Sequence, residues 1–93
     1  MNAAEGRWGI LIEESAGGYR GRMANDPAEA PAYPTRDIAR QAAYATAREY
    51  MPRHPSAPQR RTVLRRSPDE YTVIVKGMIE THYYHVSVVE ILT

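Results

Sequence analysis

The sequence has no cysteine and no phenylalanine, a single tryptophan and, among twelve basic residues, a single lysine. Each scarcity excludes something. Without cysteine there is no disulfide framework, no thiol nucleophile and no thiolate zinc site. No run approaches the roughly 18 apolar residues of a membrane-spanning helix, and residues 1–7 contain no apolar stretch of signal-peptide length. These gaps predict a cytoplasmic protein with no membrane association. A net charge of +1 supplies no overall attraction to nucleic acid.

What remains is globular in character. The chain has 93 residues, 43% of them hydrophobic and 25% charged, which predicts one small domain over 1–93 with one modest core. Residues 1–6 are expected to be unstructured. Tyrosine is used seven times, so several rings are expected where an apolar body meets water or a partner. The preference for Arg over Lys, with abundant Ala, is what a GC-rich coding genome produces.

Hydrophobic periodicity divides the chain. Residues 7–14 alternate, with Trp8, Ile10 and Ile12 on one face. Ser15-Ala16-Gly17-Gly18 is a turn signal, and 19–24 reads as a second strand with Tyr19, Gly21 and Met23 inward and Arg20 and Arg22 outward. Pro27, Pro31 and Pro34 make 25–34 a loop. Thr35 is a fitting N-cap, with Asp37 in the first turn of a helix over 36–51. At 100° per residue, Ile38, Ala39, Ala42, Ala43, Thr46 and Tyr50 share one side. Pro52, Pro55 and Pro58 make 52–59 a stiff connector at the polyproline II period. Three strands follow, over 60–66, 71–78 and 81–92, the last with a predicted bulge at Val88-Val89 where the alternation slips.

The order β-β-α-β-β-β predicts a two-layer α+β fold, with one helix on a mainly antiparallel sheet of four or five strands. The expected core is Trp8, Ile10, Ile12, Met23, Ile38, Ala42, Ala43, Thr46, Tyr50, Val73, Val75, Val86 and Val88. The opposite sheet face is expected to carry Arg22, Lys76, Tyr83 and His85. Residues 8–50, two strands and then Tyr33-Pro34-Thr35 opening an Ala-rich helix, resemble small bacterial ββα modules. The resemblance implies a fold and carries no functional residue.

Five arginines (Arg53, Arg60, Arg61, Arg65 and Arg66) and no acid fall in 53–66, leaving the rest of the chain at −4. Guanidinium forks suit phosphate and carboxylate, so these five are the candidate anion or nucleic-acid contacts. The simpler reading is a charged strand edge that discourages aggregation. Gly18-Tyr19-Arg20-Gly21 fits G-x-x-G, but between two strands it reads as a hairpin turn. His82 and His85 lie three apart on a strand, hence on opposite faces, and do not chelate one ion. Glu13-Glu14 and Asp69-Glu70 sit at strand ends and in a turn, and no serine has a nucleophile-elbow context.

The sequence therefore assigns no catalytic residue, no cofactor and no metal ligand. It predicts a non-catalytic interaction module, homodimeric and binding a protein partner. The alternative is a nucleic-acid-binding accessory or regulatory protein using 53–66. A small enzyme or metabolite binder is the third reading. Tyr83, His85 and Val89, sharing one face of the last strand, are the candidate interface, and an edge position for that strand would let it pair with its copy.

Overall fold

A computed structural model describes residues 5–16, 19–52 and 58–93. The elements are β1 (Glu5–Ala16), β2 (Tyr19–Met23), β3 (Tyr33–Thr35), α1 (Arg36–Glu49), β4 (Pro58–Ser67), β5 (Glu70–Gly77) and β6 (Thr81–Glu90). A single 3₁₀ turn covers Pro27–Glu29. The expectation of an unstructured 1–6 gives way at Glu5 and Gly6, which begin β1. Arg53, His54 and the Gly17-Gly18 turn lie outside the described residues.

The fold is the two-layer α+β arrangement. The sheet runs β2-β1-β6-β5-β4, every pairing antiparallel, and β3 is a sixth short strand that pairs β1 beside β2. The last strand is therefore interior, between β1 and β5, and its backbone is not available to a second copy. The predicted bulge at Val88-Val89 is also absent: pairing is regular from Trp8↔Glu90 to Glu14↔Tyr84. The slip in alternation instead reflects two faces that both carry apolar residues at that end. The irregularities lie elsewhere, between Glu14 and Ala16 and between Glu5 and Trp8 in β1 and at both ends of β4.

Helix α1 starts where its cap chemistry says it should. Thr35 is extended, and its Oγ1 accepts the Ile38 N–H at 3.2 Å. The helix ends at Glu49, before Pro52, whose ring disfavours helical backbone at Met51. Ala39, Ala43 and Ala47, spaced four apart, are fully buried. That stripe is rotated by about 60° from the expected face at 100° per residue. Ile38 is accordingly 42% exposed rather than core, while Ala42 and Thr46 flank the contact half-buried.

The core is Ile12, Ala43, Ala47, Tyr71, Val73, Val75, Tyr84 and Val86, with Ile10, Tyr50, Val63 and Val88 packed against it. Trp8 is half-buried at its margin, under the guanidinium of Arg36 at 5.5 Å. Met23 is not core: it pairs with Glu13 on the uncovered face and is 58% exposed. The pairing of Met23 with Glu13, and of the Arg22 backbone with Glu14, differs from the expected register of β2. The register shift between Glu14 and Ala16 changes the parity of the hairpin.

Both ends of the helix are tied to the sheet. At the N-terminal end Arg40 Nε donates to Asp69 Oδ1 at 2.7 Å, and Arg36 pairs with both carboxylate oxygens of Asp69. At the C-terminal end Arg61 of β4 donates to the carbonyls of Ala47 (3.0 Å) and Tyr50 and to the Tyr84 hydroxyl (2.8 Å). The Tyr84 hydroxyl reaches the same two carbonyls at 3.4 and 3.3 Å, and the cation beside these last carbonyls opposes the negative end of the helix dipole.

Candidate interaction surface

Helix α1 covers one face of the sheet, to which Tyr71, Val73, Val75, Tyr84 and Val86 contribute. Alternation along each strand assigns the other residues to the uncovered face. Register lines them up across all five strands of the main path: Leu64↔Thr72, Thr72↔His85, His85↔Glu13 and Glu13↔Met23. His85 stands at the centre of this row. Its Nδ1 lies 2.9 Å from the Thr72 hydroxyl, and the Tyr83 ring meets its imidazole edge-on at 5.7 Å.

Apolar side chains surround the row. Leu64 is 45% and Tyr83 49% exposed, and Leu11, Ile74 and Val89 are half-buried on the same face. Tyr83, His85 and Val89 thus share the uncovered face. At one end the face is closed: a Cβ on Gly9 would stand 2.8 Å from the Cβ of Pro27 and 3.2 Å from Ile91 Cδ1. The proline loop therefore packs directly on the glycine backbone.

The arginines do not form one surface. Arg61 faces the helix and is engaged there, and it stacks over Tyr84 at 6.0 Å. Arg65 pairs with Tyr71 and lies 5.8 Å over its ring, also on the helix side. Arg60 pairs in register with Lys76 on the uncovered face. Arg66 is exposed within the irregular end of β4. Sequence reasoning had no means of separating Arg61 from its neighbours, because an arginine on a strand reads as solvated until the helix end it meets is known.

The histidines behave as their spacing requires. His82 pairs with Val75 and His85 with Thr72, on opposite faces, and His82 Nε2 meets Glu80 Oε2 at 2.7 Å. Among the described residues no group of three His, Asp or Glu is placed to hold a metal ion. Among the described residues no helix is long and apolar enough to cross a membrane.

A shallow cleft of about 380 Å³ lies between β1 and the 25–33 loop, lined by Ile10, Ile12, Asn25, Pro31, Tyr33 and Thr46 among others. Two of its polar side chains serve the backbone. The Asn25 amide bonds both Ile10 O and Ile12 N–H, and Thr46 Oγ1 donates to Ala42 O.

Four groups are shifted in titration by these surroundings, and all are structural: Arg40 is raised by its bond to Asp69 and Tyr50 by burial and its bond to Glu14, and two shifts are large. The paired guanidinium groups of Arg36 and Arg40 hold the Asp69 carboxyl down at about 2. Burial pushes the Tyr84 hydroxyl up to about 12, against the opposing field of Arg61. The chain matches no protein-family model, no curated protein and no solved structure.

Proposed function

We propose that this domain is a non-catalytic interaction module that forms a homodimer through the uncovered face of its sheet and works on a protein partner. The observation that carries the reading is the row Leu64–Thr72–His85–Glu13–Met23. A two-fold axis along β6 lays β5 over β1 and β4 over β2 of the second copy. Leu64 then meets Met23, Thr72 meets Glu13, and His85 meets its own counterpart. Apolar falls on apolar, and a hydroxyl donor on a carboxylate. Self-complementarity of this kind is what a two-fold interface requires. The face is five strands wide at about 4.8 Å per strand and about 20 Å long.

The test is the solution mass. Light scattering on the eluting protein is expected to give twice the chain mass. The Leu64→Glu variant, changed at an exposed edge position, is expected to run as a folded monomer. A monomer at high micromolar concentration, or a dimer indifferent to Leu64→Glu and Tyr83→Glu together, overturns the reading.

The nucleic-acid alternative is supported by the Arg60–Lys76 pair on the same face, and weakened by the engagement of Arg61 with the helix end. Phosphate contacts are strongest at low salt. A mobility shift there that disappears in Arg60→Ala, Lys76→Ala supports this alternative, and its absence at low salt removes it.

A further inference from the structure

The free edge of β4 is the second unsatisfied feature of the sheet. Strand β4 ends the order β2-β1-β6-β5-β4 and, among the described residues, pairs with β5 alone. Its irregularities fall at the two ends, between Pro58 and Arg60 and between Arg65 and Ser67. The six residues between them, 60–65, pair regularly with β5 and present an open edge of about 20 Å at ~3.4 Å per residue. An open edge is a row of backbone donors and acceptors that another extended chain can complete.

Charge selects what completes it. Arg60, Arg65 and Arg66 are exposed, and none makes a salt bridge among the described residues. No acid occurs in 53–66. A second copy of β4 added along this edge would set arginines against arginines, so self-pairing is disfavoured. Arg60 lies on the uncovered face, and Arg65 lies over Tyr71 on the helix side. Cations on both faces of one strand match a chain whose side chains also alternate between faces. They match a phosphate backbone poorly, since that would lie along one surface.

We infer that the β4 edge accepts an extended acidic peptide segment as an added antiparallel or parallel strand, with its carboxylates paired to Arg60 and Arg65 on either face and to Arg66 at one end. The backbone edge is distinct from the sheet face of the proposed dimer, with Arg60 at the border of both, and the two ideas fail separately: one reads mass, the other peptide binding.

The experiment titrates the full chain with three capped decapeptides of Val, Thr and Glu. The first carries Glu at positions on both faces. The second has the same sequence with Lys for Glu. The third is the Glu peptide N-methylated at alternate residues, which blocks strand pairing and keeps the charge. Amide resonances of 60–65 report the site, and a single-stranded oligonucleotide is a fourth arm. The Glu peptide is expected to shift and protect the 60–65 amides. N-methylation is expected to weaken it about tenfold or more through lost backbone bonds, and the Lys peptide is expected not to bind. Arg60→Glu, Arg65→Glu is expected to reverse the preference toward the Lys peptide. Arg60→Gln, Arg65→Gln is a milder second variant in case the reversal unfolds the strand. Equal binding of the N-methylated peptide, stronger protection of these amides by the oligonucleotide, or no shift at low salt overturns the proposal.

Discussion

The carboxamide oxygen of Asn25 accepts the backbone N–H of Ile12 at 2.8 Å, while its nitrogen donates to the carbonyl of Ile10 at 2.7 Å. A side-chain amide here stands in for a residue of the sheet. On this edge of β1, β2 covers Glu13–Ala16 and β3 covers Glu5–Trp8. Asn25 fills the interval between them, directly after the Ala24 N–H bond to Ile12 O. Asn25→Ala leaves one donor and one acceptor unmet at a half-buried site and is expected to cost about 1–3 kcal/mol. Asn25→Asp keeps the acceptor but sets a carboxylate against the Ile10 carbonyl. Its deficit is expected to shrink as pH falls and the protonated acid becomes a donor. Urea titrations of both variants at neutral and acidic pH measure this.

Asp69 gives the fold an acid-sensitive tie. Its carboxyl titrates at about 2 in the fold against an ordinary value of 3.8. The folded state therefore binds this proton less readily than the unfolded chain does. The stabilisation is fully present above the ordinary carboxylate range and is lost as pH falls through it toward about 2. Arg36 is half exposed, which screens the pair, so the contribution is set at about 1–2 kcal/mol. Asp69→Asn is expected to lose that amount at neutral pH and to show a flatter stability profile between pH values of about 5 and 2.

Arg61 and Tyr84 close the helix end together. Arg61→Ala is expected to cost about 2 kcal/mol, because the carbonyls of Ala47 and Tyr50 lose a charged donor, and to raise amide exchange in the last helical turn first. Arg61→Lys is expected to recover part of this as a single-point donor. The Tyr84 hydroxyl is held neutral up to about 12. Its stabilising effect is present below the ordinary tyrosine value and is lost as pH climbs through the folded one. Burial and the bond to Glu14 raise the Tyr50 hydroxyl as well, so ultraviolet titration is expected to show two late tyrosines, the later of them absent in Tyr84→Phe.

Gly9 is required by contact. A methyl group there meets Pro27 Cβ at 2.8 Å, and the proline ring has no free rotor with which to yield. Gly9→Ala is expected to destabilise by about 1–3 kcal/mol. Pro27→Gly removes the opposing carbon, so the double variant is expected to lose less than the two single changes summed. A double-mutant cycle by chemical denaturation reads that coupling.

Much of this architecture is legible in residue order. Alternation marks β1, β5 and β6, Thr35 with Asp37 marks the start of the helix, and Pro52 marks its end. What is not legible has physical causes. The helix has five alanines in fourteen residues, so its buried face is nearly degenerate by hydrophobicity, and the packed stripe turns out rotated. The register of β2 depends on a shift in β1 that no propensity announces. Strand β3 is three residues with proline in the middle, which reads as loop. Tyr83 and Tyr84 are chemically identical neighbours, and only the pleat decides that Tyr84 is core and Tyr83 surface. The uncovered face could be anticipated from β5 and β6, whereas its extension to Met23 and Leu64 needed the strand order.

The pairing of β1 with β6 has a consequence for assembly. Trp8 sits opposite Glu90, so the earliest and latest strands of the domain are neighbours in the middle of the sheet. The contact that joins the N-terminal hairpin to the C-terminal meander spans almost the whole sequence, and closing so large a loop is slow. A nascent chain that has not yet reached β6 has two separate sheet fragments and no continuous core. Folding is therefore expected to await complete synthesis of β6. A circular permutant that links the two ends directly and opens the β4–β5 turn is expected to fold faster, since that contact becomes local.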